Sequence, residues 1–369
     1  MKILVTGAKG FVGKNLISEL HNKGYDEIFE YDIETDKTML ETYAKQCEFV
    51  FHLAGVNRPK DEKEFMQGNF GFTSELLEQL KKHRNKSPVL ITSSIQAEKD
   101  NPYGISKKAG EELLFSYGKE TNTDVYVYRL ANLFGKWSKP NYNTVVATFC
   151  HNIARDIEIK INDPEYELTL CYIDDVVEEF IRALEAEPTR NNEFCEVPIT
   201  HKIKLGKLAE IIKSFKESRL NLSVPELNDP LIKKLYSTYL SFLPTDSFSY
   251  SLKMNCDNRG SFTEFLRTQE KGQVSVNISK PGITKGNHWH HTKTEKFLVV
   301  KGTGLIRFRK IDSNEIIEYK VNGEKLEVVD IPPGYTHSIK NTGNEDMVTV
   351  MWANEAFNPD KPDTYYLEV

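Results

Sequence analysis

The chain has 369 residues, of which 39% are hydrophobic and 28% are charged, and its formal net charge is -6 at pH 7. This length exceeds what one core usually serves, so we expect two domains, and the negative charge argues against a general nucleic-acid or membrane-surface role. No apolar run approaches the roughly 18 residues of a membrane helix, and the N-terminus shows a strand pattern instead of a signal peptide, so we expect a cytoplasmic protein. The five scattered cysteines lack a CxxC pair, which favours small buried side chains over disulfides or a cysteine metal site.

A glycine-rich turn follows the first apolar segment, residues 2–5. Residues 6–13 read TGAKGFVG, and a helical pattern continues over residues 14–22. In a strand–turn–helix context, glycines let the backbone approach a pyrophosphate at the helix N-terminus, where N–H groups and the helix dipole favour anions. The pattern therefore predicts a dinucleotide site at Gly7, Gly10, Phe11, Val12 and Gly13.

Two features of opposite charge leave the nucleotide preference of this site open. Asp32 follows the second apparent strand, about 20 residues after the glycine turn, where a carboxylate binds the ribose 2′-hydroxyl and favours NAD. Lys37, assisted by Lys9 or Lys14, is instead suited to the 2′-phosphate of NADPH.

Hydroxyl and amine side chains that are suited to carbonyl reduction follow later in the chain. Residues 89–94 form an apolar strand pattern that ends in two serines, and a helix beginning after Pro102 would carry Tyr103 and Lys107 on one face. There the ammonium can lower the pKa of the phenol and contact the nicotinamide ribose.

The glycine turn, the strand-end serine and the YxxxK pattern together resemble the extended short-chain dehydrogenase/reductase (SDR) family. The resemblance implies that Tyr103 is the general acid and that Lys107 supports it and binds the cofactor. Ser94 would donate a hydrogen bond to the substrate carbonyl, with Ser93 as the second choice.

Three further segments are similar to loops of the same family. Residues 52–55, His-Leu-Ala-Gly, resemble the loop beneath the cofactor, which adds three residues to the predicted cofactor site: Leu53, Ala54 and Gly55. Residues 128–135 resemble the segment near nicotinamide and substrate, which makes Asn132 a candidate substrate ligand. Residues 172–176 resemble a turn of the extended members.

The chain divides by pattern into an α/β part and a β part. Strands and helices alternate up to about residue 180, which predicts a Rossmann-like doubly wound parallel sheet. Residues 200–243 add the helices that form a substrate lobe in extended SDR enzymes. After the turn-rich segment 244–251, short strands predict an all-β barrel or jelly roll. We therefore expect a reductase domain at 1–243, a linker at 244–251 and a β domain at 252–369.

The β domain opens with residues 257–264, which read DNRGSFTE. They resemble the opening of the nucleotide-sugar 3,5-epimerases of the deoxyrhamnose pathway, which are themselves cupins. In that family the arginine belongs to the sugar-nucleotide site, so Arg259 is a candidate substrate ligand; a salt-bridged turn is the alternative. The chain lacks an obvious copy of that family's His-Asp base, so the sequence does not identify the group that removes the proton.

Two short segments of the β domain together contain four residues that are spaced like metal ligands. The first has His288-x-His290-x4-Glu295, and the second has His337 within PxGxxHxxxN. Side chains at i and i+2 of a strand share a face, so the first two histidines would point together. Three imidazoles and one carboxylate suit Zn²⁺, with Fe²⁺, Ni²⁺ and Mn²⁺ as rivals. The pair of motifs resembles the cupin signature, which implies a metal site; a polar barrel lining without metal is the alternative.

Across its whole length the chain resembles bifunctional capsular-polysaccharide enzymes that join an extended SDR to a metal cupin. The resemblance implies C3 epimerisation of a UDP-2-acetamido-2,6-dideoxy-4-keto-hexose in the cupin. It also implies NADPH-dependent C4 reduction to UDP-N-acetyl-6-deoxy-L-talose, on the route to UDP-N-acetyl-L-fucosamine, together with zinc and a homodimer. Epimerisation must come first, because the C4 ketone makes the C3 proton acidic and its reduction ends that acidity.

Two other functions remain open from the sequence. The cupin could bind a ligand or hold a dimer together without catalysis, although four buried polar ligands would be costly without an ion. It could also be an oxygen-using metal enzyme, since cupins include dioxygenases.

Overall fold

The structure is a computed structural model that describes residues 1–57, 59–142, 144–268, 272–311, 313–360 and 362–369. Within these residues the chain forms two compact units. The first comprises Met1–Lys213 and Asp229–Pro244, and the second comprises Ser214–Asn228 and Thr245–Val369.

The second unit includes residues 214–228, which the sequence pattern assigns to the reductase domain. The backbone explains this grouping, because the Arg267 N–H donates to the Leu222 carbonyl oxygen at 2.7 Å and the Val224 N–H donates to the Arg267 carbonyl oxygen at 3.0 Å. The functional domain limits at residues 243 and 252 stay a prediction.

The first unit alternates strands with helices. Its strands are β1 Ile3–Thr6, β2 Ile28–Tyr31, β3 Phe49–His52, β4 Val89–Ser94, β5 Val125–Leu130, β6 Asn132–Phe134, β7 Glu167–Tyr172, β8 Arg190–Asn191, β9 Phe194–Cys195 and β10 His201–Lys204. The helices are α1 Phe11–Asn22, α2 Thr38–Gln46, α3 Lys63–Phe65, α4 Phe72–Lys82, α5 Pro102–Thr121, α6 Val145–Ala154, α7 Ile173–Leu184, α8 Leu205–Asn221, which continues into the second unit, and α9 Pro230–Ser241. A π-helical turn, Met66–Gly71, joins α3 to α4, and a 3-10 turn, Ile95–Glu98, follows β4.

The main sheet has the strand order β2-β1-β3-β4-β5-β9-β8 among the described residues. Its strands run parallel from β2 to β9, and β8 is antiparallel to β9. Successive side chains of a strand point to opposite faces. Ile3 and Val5 therefore enter one core with α1 and α7, whereas Leu4 enters a second core with α2, α4 and α5. The predicted doubly wound parallel sheet is confirmed.

The sheet reverses its winding between β1 and β3. The loops that follow these two strands meet closely. A Cβ on Gly7, which has a φ of +70°, would lie 2.8 Å from the backbone nitrogen of Ala54. Only glycine fits this approach. In open α/β sheets, ligands bind in the crevice at such a switch point, outside the carboxyl ends of the strands.

The second unit is built from antiparallel strands. They are β11 Asn255–Asp257, β12 Gly260–Thr268, β13 Gly272–Ser279, β14 Thr284–Trp289, β15 Glu295–Lys301, β16 Thr303–Lys310, β17 Ile316–Asn322, β18 Val328–Ile331, β19 Tyr335–Asn341, β20 Met347–Ala353 and β21 Tyr365–Tyr366. One sheet has the order β11-β12-β13-β20-β15-β18, and the other has the order β17-β16-β19-β14-β21. Phe297 and Val299 of the first sheet share an apolar core with Ile306, Phe308 and Ile339 of the second. The predicted all-β fold of this part is confirmed.

The cysteines and the helices bear on two expectations from composition. Four cysteines are buried, as expected for small apolar side chains, whereas Cys256 is exposed. Within the described ranges, no helix combines the length and apolar character needed to cross a membrane.

Candidate functional site

A cleft of about 1220 Å³ lies at the carboxyl ends of the parallel strands in the first unit. Lys14, one of two possible helpers for a 2′-phosphate, is not among its lining residues. The other residues assigned to cofactor and reduction chemistry in this unit do line it, among them Gly7, Gly10, Phe11, Val12, Gly13, Asp32, Leu53, Ala54, Gly55, Ser94, Tyr103, Lys107 and Asn132. Helix α1 begins at Phe11 with Gly10 as its N-cap and without a capping side chain. Its first N–H groups are therefore available to a phosphate.

Tyr103 and Lys107 lie on one face of α5. The helix begins at Pro102, and the Asn101 side chain caps it by accepting a hydrogen bond from the Gly104 N–H at 2.9 Å. Residues one helical turn apart share a face, and both side chains line the cleft. The capped start of α5 therefore fixes how the two groups are presented.

The Lys107 ammonium is desolvated and held by the backbone. Its Nζ donates to the Thr92 carbonyl oxygen at 3.0 Å. Burial lowers the pKa of Lys107 to about 8, and the negative charge of Glu111 opposes that shift. Burial raises the pKa of Tyr103, and a hydrogen bond with Ser94 counteracts it. The lowering of the phenol pKa that the sequence predicts for the Tyr103–Lys107 pair is not seen, because burial outweighs the opposing hydrogen bond. Both groups still line the cleft, where a phenol and an ammonium are suited to proton transfer at a carbonyl oxygen.

The structure separates the two serines that end β4. The Ser93 side chain is buried, and its hydroxyl donates to Glu111 Oε1 at 2.5 Å. The Ser94 hydroxyl instead accepts a hydrogen bond from the Gln96 N–H at 3.2 Å and counteracts the rise in the pKa of Tyr103. Since Ser93 is committed to a buried carboxylate, Ser94 is the better placed of the two for a substrate carbonyl.

Glu111 is a functional candidate that sequence reasoning missed. It is 1% exposed and accepts hydrogen bonds from Arg129 Nε at 2.9 Å and Nη2 at 2.6 Å, in addition to that from Ser93. Arg129 also pairs with Glu98 at 3.0 Å. The network joins α5 to β4 and β5. A signal for it was present, because Glu111 follows Lys107 by one helical turn.

A second missed residue holds the loop after β3. Asn69 accepts a hydrogen bond from the Val56 N–H at 2.8 Å and donates to Ser106 Oγ at 2.9 Å. A Cβ on Gly55 would lie 2.9 Å from Asn69 Oδ1 and 3.1 Å from Lys107 Nζ, so the loop needs a glycine there. Asn69 belongs to no motif that the sequence analysis used.

The end of the cleft beside β2 is lined by two carboxylates, Asp32 and Glu34, and two ammonium groups, Lys9 and Lys37. The Asp32 carboxylate accepts hydrogen bonds from the N–H groups of Lys9 and Ile33, each at 2.8 Å. Lys9 Nζ pairs with Glu34 at 2.5 Å, and this hydrogen bond, with the charge of Asp32 adding to it, raises the pKa of Lys9. Lys37 lines the same cleft. Asp32 thus ties the second strand to the glycine turn, and Glu34 neutralises Lys9.

The four predicted metal ligands converge in the second unit. The donor atoms of His288, His290, Glu295 and His337 lie within 4.8 Å of one another. Glu295 Oε2 is 3.3 Å from His337 Nε2 and 3.5 Å from His290 Nε2. The backbone explains the approach, because His288 on β14 pairs directly with His337 on β19 and Glu295 begins β15.

The chemistry of this cluster fits a divalent cation. Among the described residues, His290 Nε2, Glu295 Oε2 and both ring nitrogens of His337 are buried without a hydrogen-bond partner. Burial lowers the pKa of His288 to about 4, and although burial opposes it, the imidazoles of His290 and His337 hold the pKa of Glu295 well below its usual range. Neutral imidazole and ionised carboxylate are the forms that bind metal. An ion would satisfy the buried polar atoms, which are otherwise costly.

One strand of the second unit, β13, carries buried polar side chains. Four residues of β13 are buried and polar: Gln273, Ser275, Asn277 and Ser279. Lys285 on β14 reaches this strand, and its Nζ donates to Asn277 Oδ1 at 2.6 Å. Lys285 and His288 share a face of β14, because their partners Ile339 and His337 are two residues apart on β19. The interior of the second unit thus offers polar groups from β13 and Lys285, whereas the rings of Phe297 and Phe308 lie 5.9 and 6.5 Å from the ring of His337.

Arg259 lies at the turn between β11 and β12, and its side chain is largely exposed. Its Nη2 and Nε lie 2.6 and 3.0 Å from Asp257 Oδ2. The structure thus shows the salt-bridged turn that was the alternative to a substrate role. Contact between Arg259 and a sugar nucleotide stays a prediction.

Comparisons with known proteins cover both parts of the chain. Residues 3–195 match the NAD dependent epimerase/dehydratase family, and residues 255–365 match the polysaccharide biosynthesis C-terminal domain. A UDP-2-acetamido-2,6-beta-L-arabino-hexul-4-ose reductase of Pseudomonas aeruginosa is 48% identical over 369 residues, which is 100% of this chain and 99% of the relative.

Solved structures agree with these matches. The crystal structure of the capsular polysaccharide assembling protein CapF from Staphylococcus aureus is 56% identical, covers 100% of both chains and gives a TM-score of 0.95. A UDP-glucose 4-epimerase of Thermotoga maritima is 23% identical, covers 66% of this chain and 98% of its own, and gives a TM-score of 0.55, which shows a shared fold alone. The chain therefore belongs to the NAD dependent epimerase/dehydratase family, and over its whole length it is similar to the Pseudomonas aeruginosa reductase and to CapF.

Proposed function

We propose that the chain inverts C3 of a UDP-2-acetamido-2,6-dideoxy-4-keto-hexose in its β domain and then reduces C4 in its α/β domain. The product is UDP-N-acetyl-6-deoxy-L-talose, on the route to UDP-N-acetyl-L-fucosamine in capsule synthesis. The observation that carries the proposal is that one chain holds both a cleft lined by the predicted reduction residues and a cluster of four residues that could hold a metal ion. The Pseudomonas aeruginosa relative is named for the reduction of a UDP-sugar with a C4 carbonyl, which supports the substrate.

Reduction at C4 requires a hydride at carbon and a proton at oxygen. Family membership implies a nicotinamide dinucleotide, which supplies the hydride when bound at the glycine turn. Ser94 holds the carbonyl oxygen, and Tyr103 donates the proton to it. Lys107 stabilises the phenolate that remains, because its ammonium lies on the same helix face. Asn132 lines the cleft and is the proposed substrate ligand there.

Inversion at C3 requires removal of a proton from one face of the sugar and its return to the other face. The C4 carbonyl makes this proton acidic, and a divalent ion supplies Lewis acidity when bound. His288, His290, Glu295 and His337 are the residues that would hold the ion. The buried polar residues of β13 and the Lys285 ammonium offer hydrogen bonds to the sugar.

The identities of the metal, the nucleotide and the assembly belong to the same proposal. We assign Zn²⁺ to the cluster, since three imidazoles and one carboxylate match its ligand preferences. We assign NADPH to the cleft and a homodimer to the assembly from the family resemblance. The Asp32 carboxylate opposes a 2′-phosphate, and Lys9 is paired with Glu34 instead of being available to that phosphate. The measured preference between NADH and NADPH therefore decides the nucleotide.

The second candidate function is a single-activity nucleotide-sugar reductase. In that case the β domain binds a ligand or joins protomers without catalysis. The buried ligand atoms that lack partners favour an ion at the cluster over an inert polar lining. The bifunctional hypothesis therefore explains more of the structure, including these buried ligand atoms.

One experiment separates these functions. The protein is incubated with UDP-4-keto-6-deoxy-N-acetylhexosamine in D₂O, with and without NADPH, and NMR follows C3 and C4. We expect deuterium at C3 without NADPH, and a C4 alcohol with inverted C3 once NADPH is present. An alcohol that has neither inversion nor deuterium at C3 would leave only the reductase. Oxygen uptake by the metal-loaded protein would instead indicate an oxygen-using enzyme.

A further inference from the structure

The last eight residues, 362–369, form a C-terminal strap on the sheet that carries the metal ligands. Strand β21 of the strap pairs with β14, which places Tyr366 opposite His288. The carbonyl oxygen of Leu367 accepts a hydrogen bond from the hydroxyl of Thr336, the residue before the fourth ligand. The strap therefore touches the strands of two ligands.

Asp363 joins the strap to the loop between β14 and β15. Its carbonyl oxygen accepts a hydrogen bond from His290 Nδ1 at 2.6 Å. Its carboxylate accepts hydrogen bonds from the N–H groups of His291, Thr292 and Lys293, each at 2.9 Å. The Thr292 hydroxyl donates to it as well, at 3.1 Å. One carboxylate thus fixes three consecutive amides of the loop that links two metal ligands.

The bond from His290 to the strap also selects the tautomer of the ring. A carbonyl oxygen can only accept, so Nδ1 carries the proton, and in the neutral ring Nε2 has a free lone pair. That Nε2 atom faces Glu295 at 3.5 Å in the cluster. The strap therefore orients the ligand and leaves its correct nitrogen available.

We infer that the C-terminal strap positions the metal centre and that Asp363 is its anchor. The inference rests on the metal site of the proposed function and adds that metal affinity depends on residues that supply no ligand. Groups that hold the second nitrogen of a metal-binding imidazole typically change metal affinity by about 10- to 100-fold. We expect loss of the Asp363 carboxylate to change metal affinity within that range, because the carboxylate fixes the loop that begins at His290 and leads into Glu295.

The test uses Asp363→Asn in the full-length protein. Asp363 has a φ of 41°, a left-handed conformation that Asn also tolerates, so the variant keeps the backbone but removes the charge and one acceptor. Asp360→Asn is the matched control, because Asp360 is exposed and bonds none of the loop residues 291–293 in the described part of the chain. Zn²⁺ affinity is measured by competition with a chromogenic chelator, and the thermal unfolding of both metal-free variants is compared with wild type.

We expect Asp363→Asn to bind Zn²⁺ about 10- to 100-fold more weakly, with its metal-free unfolding temperature near that of the control. Wild-type affinity in the folded variant would overturn the inference while leaving the proposed function intact. A wild-type protein that binds none of the candidate ions would overturn the metal centre itself, together with this role for the strap.

A second measurement covers the case in which the variant does not fold. Coupling between two sites is reciprocal, so if the strap stabilises bound metal, bound metal must stabilise the strap. Amide hydrogen exchange of the wild-type strap, including the Leu367 N–H that donates to the Asn287 carbonyl oxygen at 3.0 Å, should slow by about 10-fold or more when Zn²⁺ is added. Exchange that is unchanged by Zn²⁺ would refute the positioning role.

Discussion

Replacing Glu111 by Gln should move the basic limb of the pH profile for ketone reduction to lower pH. Glu111 follows Lys107 by one turn of α5, is buried, and raises the pKa of the ammonium against the effect of burial. Gln keeps the length of the side chain and can still accept the hydrogen bond from Ser93. It removes the negative charge that faces both Lys107 and Arg129.

The size of the shift follows from the charge and its separation. Residues four apart on a helix lie about 6 Å from each other. A unit charge at about 6 Å, through an effective dielectric between about 20 and 40, is worth roughly 1.4 to 2.8 kcal/mol, or about one to two pH units. Lys107 loses its proton as the pH rises through about 8, and Tyr103 then lacks its cation. With a lower pKa for Lys107, the loss of activity must begin at lower pH.

The assay is the steady-state rate of ketone reduction between about pH 6 and 10, followed by nicotinamide absorbance. Glu112→Gln is the matched control, since Glu112 is the next residue of α5 and is exposed. Loss of the Arg129 partner should also destabilise the fold, so circular dichroism at each pH must show folded protein. If the folded Glu111→Gln variant and the control share the wild-type basic limb, the electrostatic role of Glu111 is refuted.

Three other predictions follow from the same sites. Tyr103→Phe should slow ketone reduction on the order of a hundredfold or more while deuterium exchange at C3 continues, and simultaneous loss of both in folded protein would contradict two separate sites. His290→Ala or His337→Ala should lower the zinc content, measured by elemental analysis, and abolish C3 exchange while leaving reduction of an already inverted ketone; retained exchange without metal would show that the cluster acts by acid–base chemistry alone. Asp32→Ala should shift the ratio of kcat/KM values toward NADPH, whereas Lys37→Ala should weaken NADPH selectively, and a strong wild-type preference for NADH would show that the carboxylate outweighs the family resemblance.

Features with a local steric reason could be predicted from the sequence. A side chain at Gly7 would collide with Ala54 in the loop after β3. Tyr103 and Lys107 share a face because a capped helix begins just before them. The alternation of Ile3 and Leu4 between two cores likewise follows from strand geometry. The helix face and the strand alternation depend on residues that are close in sequence. The glycine turn is recognisable from its local strand–turn–helix pattern, although the contact that requires Gly7 is with the distant Ala54.

Contacts between distant segments could not be predicted in this way. Glu111 finds Ser93 and Arg129 eighteen residues away on either side, and Asp363 bonds His290 across 73 residues. Residues 214–228 carry a helical period and a turn, yet their partner Arg267 lies on β12. Local periodicity does not report which distant strand a segment meets, so the network behind Lys107, the strap and this division of the chain emerge only from the structure.

On the proposed sequence of reactions, the two sites compete for one ketone. Reduction before inversion would trap the sugar with its original C3 configuration, because the alcohol no longer makes the C3 proton acidic. A single product therefore requires either that C3 exchange is faster than hydride transfer or that the reduction cleft accepts only the inverted ketone. These two possibilities, faster C3 exchange and a selective reduction cleft, differ in kinetics. If the cleft discriminates, Tyr103→Phe and wild-type protein will equilibrate the ketones equally well, and metal-depleted protein will make no alcohol. If relative rates decide, metal-depleted protein with intact Tyr103 and Lys107 will make the uninverted alcohol.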